Sequence, residues 1–130
     1  MEEFLADEAA TRAFGASLAA RFGAGDLVVL SGELGAGKTT LVRGLLEALG
    51  HEGPVRSPTF NLIQTYSTQP PVLHADLYRL GQGADIGLED YLDDHLCLVE
   101  WPDRDPRLGA RATAHVLITF EGDGRRIQLT

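Results

Sequence analysis

Apolar residues recur along this chain at two spacings, and the spacings divide it into elements. Ala10, Phe14, Leu18 and Phe22 follow one another every four residues. That period gives a helix one apolar face, and Asp7 supplies an oxygen to cap its start. Gly23-Ala24-Gly25-Asp26 ends that helix and turns the chain into Leu27–Ser31, a run apolar enough to be a strand buried on both faces. Leu41, Leu45 and Leu49, flanked by Val42 and Leu46, predict a second helix from Thr40 to Leu49, with Gly50 beyond it. Gly44 inside that helix costs about 1 kcal/mol relative to alanine, so a close approach of another element is expected there.

Further on, the period shortens. Phe60, Leu62, Gln64 and Tyr66 alternate as in a strand, Ser67 to Pro71 form a turn, and Val72–Leu77 return. So short a connection requires antiparallel pairing, which makes the sheet mixed. A loop from Gly81 to Gly87 leads to a short helix at Leu88–Leu92, then to a second unbroken apolar strand, Leu96–Val99. A charged, proline-containing loop leads to Ala114–Glu121, where Val116, Ile118 and Phe120 share a face, and Gly122-Asp123-Gly124 turn into a last strand, Arg125–Leu129. There is no internal repeat or low-complexity segment.

Between the first predicted strand and the second helix lies Gly32-Glu33-Leu34-Gly35-Ala36-Gly37-Lys38-Thr39. It has the spacing G-x-x-x-x-G-K-[ST] in the context that gives the spelling meaning: strand, glycine-rich loop, helix. Such a loop wraps its backbone N–H groups around an anion at the positive end of a helix. Lys38 then reaches the β/γ-phosphates and the Thr39 hydroxyl ligates Mg²⁺. The expected ligand is a nucleoside triphosphate.

Composition narrows the setting. A chain of 130 residues, 44% hydrophobic and 23% charged, is expected to form a single domain over 1–130 with a core that needs no disulfides. One cysteine, Cys97, excludes an internal disulfide framework and a cysteine-based zinc site. No apolar run approaches a membrane span, and Met1-Glu2-Glu3 lacks the basic start of a signal peptide, so cytoplasmic residence is expected. The net charge of −8 opposes autonomous binding to a phosphate backbone. Arg104, Arg107 and Arg111 cluster in sequence and read either as a local basic patch or as a solvated loop.

Hydrolysis needs a carboxylate near Mg²⁺ and a group that places water. Asp76 ends an interrupted apolar run and Glu100 an unbroken one. The pattern favours Glu100 as the strand-end metal ligand, with Asp76 acting through a metal-bound water or positioning the attacking one; the assignment between them stays open. Thr59 is a further candidate for sensing the γ-phosphate, against a plain strand-start threonine. His74, two residues before Asp76, reads either as a base or as a packed or hydrogen-bonded strand histidine. Trp101 reads as packing unless it lines the nucleotide cleft, and Cys97 as inert core.

Four stretches occur in order: G-E-L-G-A-G-K-T-T (Gly32–Thr40), S-P-T-F (Ser57–Phe60), H-A-D-L-Y-R-L (His74–Leu80) and V-E-W-P (Val99–Pro102). Together they resemble the TsaE (YjeE) family of small bacterial ATPases of tRNA threonylcarbamoyladenosine synthesis. The resemblance implies an α/β, three-layer P-loop NTPase-like fold, its mixed central sheet flanked by helices. It implies ATP and Mg²⁺ as cofactors and a TsaB–TsaD complex as partner, with tRNA reached only through that complex. That pair transfers threonylcarbamoyl to the adenosine beside the anticodon. By motif, Gly35, Ala36, Gly37, Lys38, Thr39 and Thr40 enclose the phosphates, Glu100 is the second Mg²⁺ ligand, Asp76 the other functional carboxylate, and Ser57 with Thr59 belongs to a nucleotide-sensing switch. Thr11 matches a family threonine near the adenine end. A family contact from a C-terminal tail is not expected here, and Arg125 or Arg126 stands as its substitute.

Three other functions compete. A small-molecule kinase needs an acceptor pocket and an arginine-bearing lid, for which only Arg104, Arg107 and Arg111 offer themselves. A Ras-like GTPase needs N-K-x-D, and this chain has none, nor a D-x-x-G after the loop. A non-catalytic nucleotide-binding adaptor is compatible with slow hydrolysis that a partner completes.

Overall fold

The computed structural model describes residues 1–33, 35–55, 63–78, 87–102 and 106–130. Its elements are β1 (Glu2–Leu5), α1 (Glu8–Arg21), β2 (Leu27–Ser31), α2 (Lys38–Ala48), β3 (Ile63–Tyr66), β4 (Val72–Asp76), β5 (Leu96–Glu100), α3 (Pro106–Arg111), β6 (Ala114–Glu121) and β7 (Gly124–Leu129), with a 3-10 turn at Leu88–Asp90. The strands join in one sheet in the order β1-β7-β6-β2-β5-β4-β3. β6, β2, β5 and β4 are mutually parallel, while β3, β7 and β1 pair antiparallel at the two edges. The mixed sheet expected from the 60–77 hairpin is therefore present, and β2 and β5 at its parallel centre carry the unbroken apolar runs that burial on both faces demands.

Strand alternation sorts the core into two layers. Val28, Leu30, Val72, Leu96, Leu98, Val116 and Ile118 face α1 and α2; Leu27, Val29, Leu73, Ala75, Cys97 and Val99 face the side that holds Leu88, Leu92 and Leu108. The helix α1 buries Thr11, Phe14, Gly15 and Leu18, the i, i+3, i+4, i+7 stripe of an amphipathic helix. Asp7 caps it by accepting from the N–H of Ala10 at 2.8 Å.

Two glycines set how closely α1 and α2 cross. A Cβ on Gly15 would collide with the carbonyl oxygen of Leu41, and one on Gly44 with the carbonyl oxygen of Arg12. The close approach expected at Gly44 is made to the Arg12 backbone, and Gly15 makes the matching approach to the Leu41 backbone. Two ion pairs flank the crossing, Arg12–Glu47 at 3.3 Å and Arg43–Glu8 at 3.8 Å. The consequence for the site is that α1 lies directly beside the start of α2.

Three elements, β1, α3 and α2, differ from the sequence expectation. β1 carries a single buried side chain, Leu5, so it has no alternation to read; it becomes a strand by pairing with β7. α3 falls in what reads as a loop, because Pro106 and Gly109 discourage a helix, yet proline is tolerated in the first turn and Leu108 packs into the second core layer. The helix α2 also starts two residues earlier than its apolar period, which places Lys38 and Thr39 in its first turn. Among the described residues, no helix is long and apolar enough to cross a membrane.

Candidate functional site

The C-terminal ends of β2, β5 and β4 lie side by side, where open α/β sheets present their ligand crevices. Register puts Glu100 between Leu30 of β2 and Asp76 of β4. The chain leaves β2 into the glycine-rich loop, which reaches α2 through Gly35 and Gly37 with φ of 81° and 113°. Those values lie in the left-handed region that glycine adopts without a Cβ penalty. Gly37 is the residue immediately before α2, so the turn delivers Lys38 and Thr39 at the helix N-terminus.

Lys38 is buried, with 5% of its surface exposed. Its Nζ donates to the carbonyl oxygen of Gly32 at 2.5 Å, lies 4.0 Å from Oε1 of Glu100, and sits 4.1 Å from the centre of the Trp101 ring. Burial lowers its pKa below the ordinary 10.5, opposed by the negative charges of Glu100 and Asp76. Trp101 has φ of 58°, the one positive φ on a non-glycine residue among those described. Such a backbone is uncommon for a bulky residue and costs of order 1–3 kcal/mol. It turns the indole over Lys38 and against Tyr78, whose ring centre is 4.9 Å away. Trp101 thus lines the crevice.

Glu100 is 3% exposed and His74 is fully buried. The Nε2–H of His74 donates to Oε2 of Glu100 at 2.5 Å, which fixes the carboxylate's rotation and leaves Oε1 on the Lys38 side. His74 is therefore a hydrogen-bonded strand histidine, and its partner is the candidate metal ligand. Asp76 is half-buried; its Oδ1 accepts the N–H of Tyr78 at 2.9 Å. Burial raises the Asp76 pKa above 3.8, and Glu100 adds to the rise; the Tyr78 N–H, His74 and Lys38 oppose it.

Two adjoining cavities of about 240 Å³ each share Gly35, Gly37 and Thr40. One contains Lys38, Thr39, Asp76, Glu100 and Trp101. The other runs towards the N-terminal helix and contains Asp7, Thr11, Ala36 and Arg125. The fold thus brings together Thr11, Gly35, Ala36, Gly37, Lys38, Thr39, Thr40, Asp76 and Glu100. Ser57 and Thr59 lie outside the described residues. The two C-terminal arginines separate: Arg125 reaches the loop, donating from Nε to the carbonyl of Ala36 at 2.9 Å, whereas Arg126 turns to Glu121 at 2.8 Å.

This donor set fits Mg²⁺ carried with a polyphosphate. Among the described residues no group of three or more His, Cys, Asp or Glu side chains could hold a metal alone. Mg²⁺ takes hard oxygen ligands, commonly one or two carboxylates completed by substrate phosphates and water. Glu100, Asp76 and the Thr39 hydroxyl around one crevice are a partial set of that kind. Lys38, buried beside them, supplies the charge for an anion.

The sequence offers His74 as a base or a strand histidine and Arg125 only as a substitute for a tail contact; the structure puts His74 on Glu100 and Arg125 on the Ala36 carbonyl. His74 carries a signal in hindsight: it stands two residues before Asp76 on a buried strand, on the same face.

A family model for the threonylcarbamoyl adenosine biosynthesis protein TsaE matches residues 5–127. The tRNA threonylcarbamoyladenosine biosynthesis protein TsaE of Haemophilus influenzae is 41% identical over 108 residues, covering 79% of this chain and 68% of that protein. Its Streptomyces coelicolor counterpart is 50% identical over 97 residues, 69% of this chain and 66% of that protein. Among solved structures, Bacillus subtilis YdiB superposes with a TM-score of 0.82 at 30% identity, covering 99% of this chain and 83% of that one. With a family match across nearly its whole length and these relatives, the chain belongs to the TsaE family of threonylcarbamoyl adenosine biosynthesis proteins.

Proposed function

We propose that this protein binds ATP with Mg²⁺ and hydrolyses it weakly alone, and that it works with a TsaB–TsaD complex in threonylcarbamoylation of tRNA adenosine next to the anticodon. The observation that carries the reading is the convergence at one crevice of Lys38 and Thr39, at the start of α2, with the strand-end carboxylates Asp76 and Glu100. ATP would supply a phosphoanhydride to cleave and Mg²⁺ would neutralise charge on its phosphates.

The residues divide the work. Gly35 to Thr40 offer backbone N–H groups and a helix N-terminus to the phosphates. Lys38 exchanges its present partners, the Gly32 carbonyl and Glu100, for phosphate oxygens. Thr39 and Glu100 would hold the metal, with His74 keeping the Glu100 carboxylate turned towards it. Asp76, the less buried of the two carboxylates, orients water. Thr11 and the cavity beside it would take the nucleoside end.

Of the three arginines that a kinase lid would draw on, Arg104 lies outside the described residues and Arg111 pairs with Glu89 at 3.7 Å, while α3 packs on the face of the sheet opposite α1 and α2. Labelled ATP tests the proposal. Free phosphate should accumulate slowly with this protein alone and faster when a TsaB–TsaD complex is added. Label appearing on an organic acceptor would replace the reading with a kinase, and no binding and no change in rate with the complex would remove the partner.

A further inference from the structure

The hairpin between β6 and β7 sends one side chain into the back of the glycine-rich loop. Arg125 donates from Nε to the Ala36 carbonyl at 2.9 Å and from Nη2 to the Gly35 carbonyl at 3.4 Å, while Nη1 donates to the Gly124 carbonyl at 2.9 Å. Its guanidinium lies 4.3 Å from the ring centre of Phe120, its directly opposed cross-strand neighbour. Stacking and three hydrogen bonds hold this planar group in one orientation.

We infer that Arg125 is a positioning residue for the loop, setting which way its peptide groups face. In a trans peptide the C=O and the following N–H point in opposite directions. Fixing the Ala36 carbonyl on Arg125 therefore directs the Gly37 N–H away from Arg125. The preceding peptide is held at both ends: Arg125 takes the Gly35 carbonyl, and the Ala36 N–H donates to the Glu33 carbonyl at 3.1 Å. Glycine at 35 and 37 gives these peptides the freedom to flip, and Arg125 removes it. Because the guanidinium also borders the cavity shared by Gly35 and Gly37, its charge favours an anion there. The paired cation of the hairpin, Arg126, makes no such contact; it is tied to Glu121 on the other face.

The inference rests on reading the loop as the triphosphate site, and the test separates the two. Binding of a fluorescent ATP analogue with Mg²⁺, steady-state kinetics and amide exchange at residues 35–37 would be compared in wild type, Arg125→Gln, Arg125→Lys and Phe120→Leu. Loss of two charge-assisted hydrogen bonds should weaken ATP binding about tenfold or more in Arg125→Gln, raising KM more than it lowers kcat. Lysine, with one point of contact, should restore part of the loss, and Phe120→Leu should produce a smaller one. The Ala36 amide, bonded to the Glu33 carbonyl, should exchange faster in Arg125→Gln while those of β2 stay protected. Should Arg125→Gln fail to fold, the lysine and Phe120→Leu variants carry the same comparison. Wild type that binds while Arg125→Gln binds equally well overturns the role of Arg125 alone, as does faster exchange spread evenly over the protein. Wild type that binds no ATP overturns the reading of the loop and the inference with it.

Discussion

His74 on β4 and Glu100 on β5 are joined by a 2.5 Å hydrogen bond between buried side chains. Removing the histidine would leave a buried carboxylate short of a donor, at a cost of about 1–3 kcal/mol. His74→Ala should lower the thermal midpoint and reduce Mg²⁺-dependent turnover together. His74→Gln, whose amide can still donate, should retain more of both. Parallel thermal melts and phosphate-release assays check this; equal losses in the two variants would show that packing alone is at stake.

Glu100 and Asp76 share a crevice but differ in burial, and the roles proposed for them differ accordingly. Glu100→Ala should impair Mg²⁺-dependent turnover at least tenfold while changing nucleotide affinity much less. Comparing turnover with ATP-analogue binding in both alanine variants decides the ranking. Wild-type turnover in Glu100→Ala, with Asp76→Ala inactive, would reverse it.

Asp76 also makes a prediction about pH. With a pKa raised by burial, the folded state holds the Asp76 proton where the unfolded chain has released it. Stability from this group is therefore greatest at low pH and is lost as pH rises from 3.8 through the folded pKa. Asp76→Asn should make the nucleotide-free protein more stable than wild type at pH 7, and the difference should shrink towards acid. Cys97 acts in the same sense at the other end of the scale: burial pushes its thiol from 9.0 up to about 12, so stability falls as pH rises above 9. Denaturant titrations across pH, in wild type and Asp76→Asn, measure the first effect directly.

The crossing of α1 and α2 predicts that alanine is harmful where helix propensity alone would favour it. Gly44→Ala gains about 1 kcal/mol of intrinsic propensity, yet its Cβ meets the Arg12 carbonyl. Overpacking of this kind costs about 1–3 kcal/mol, so Gly44→Ala and Gly15→Ala should both destabilise. Because each methyl pushes the same two helices apart, the double variant should lose less than the sum of the singles. Chemical denaturation of the four proteins tests it.

Much of this was legible in the residues themselves, and the exceptions have physical causes. The loop at 32–39 and the two strand-end acids stand out, as do β2 and β5, which are apolar throughout because they are buried on both faces, and β6, which alternates buried Val116 and Ile118 with exposed Leu117 and Thr119. β1 left no trace because Glu2, Glu3 and Phe4 are exposed and only Leu5 is buried; pairing across the sheet makes it a strand. α3 was hidden by Pro106 and Gly109, whose local preferences yield to the burial of Leu108. The partners of His74 and Arg125 lie 26 residues away at Glu100 and 89 at Ala36, so no local pattern records them.

Lys38 is the cation of the proposed triphosphate site, and calorimetric titration of Mg²⁺ and ATP into wild type and Lys38→Ala measures that role most directly. Saturable one-to-one binding to wild type, weakened at least tenfold in Lys38→Ala with the fold retained, is the predicted result. Equal ATP affinity in the two proteins, or none in wild type, would contradict it.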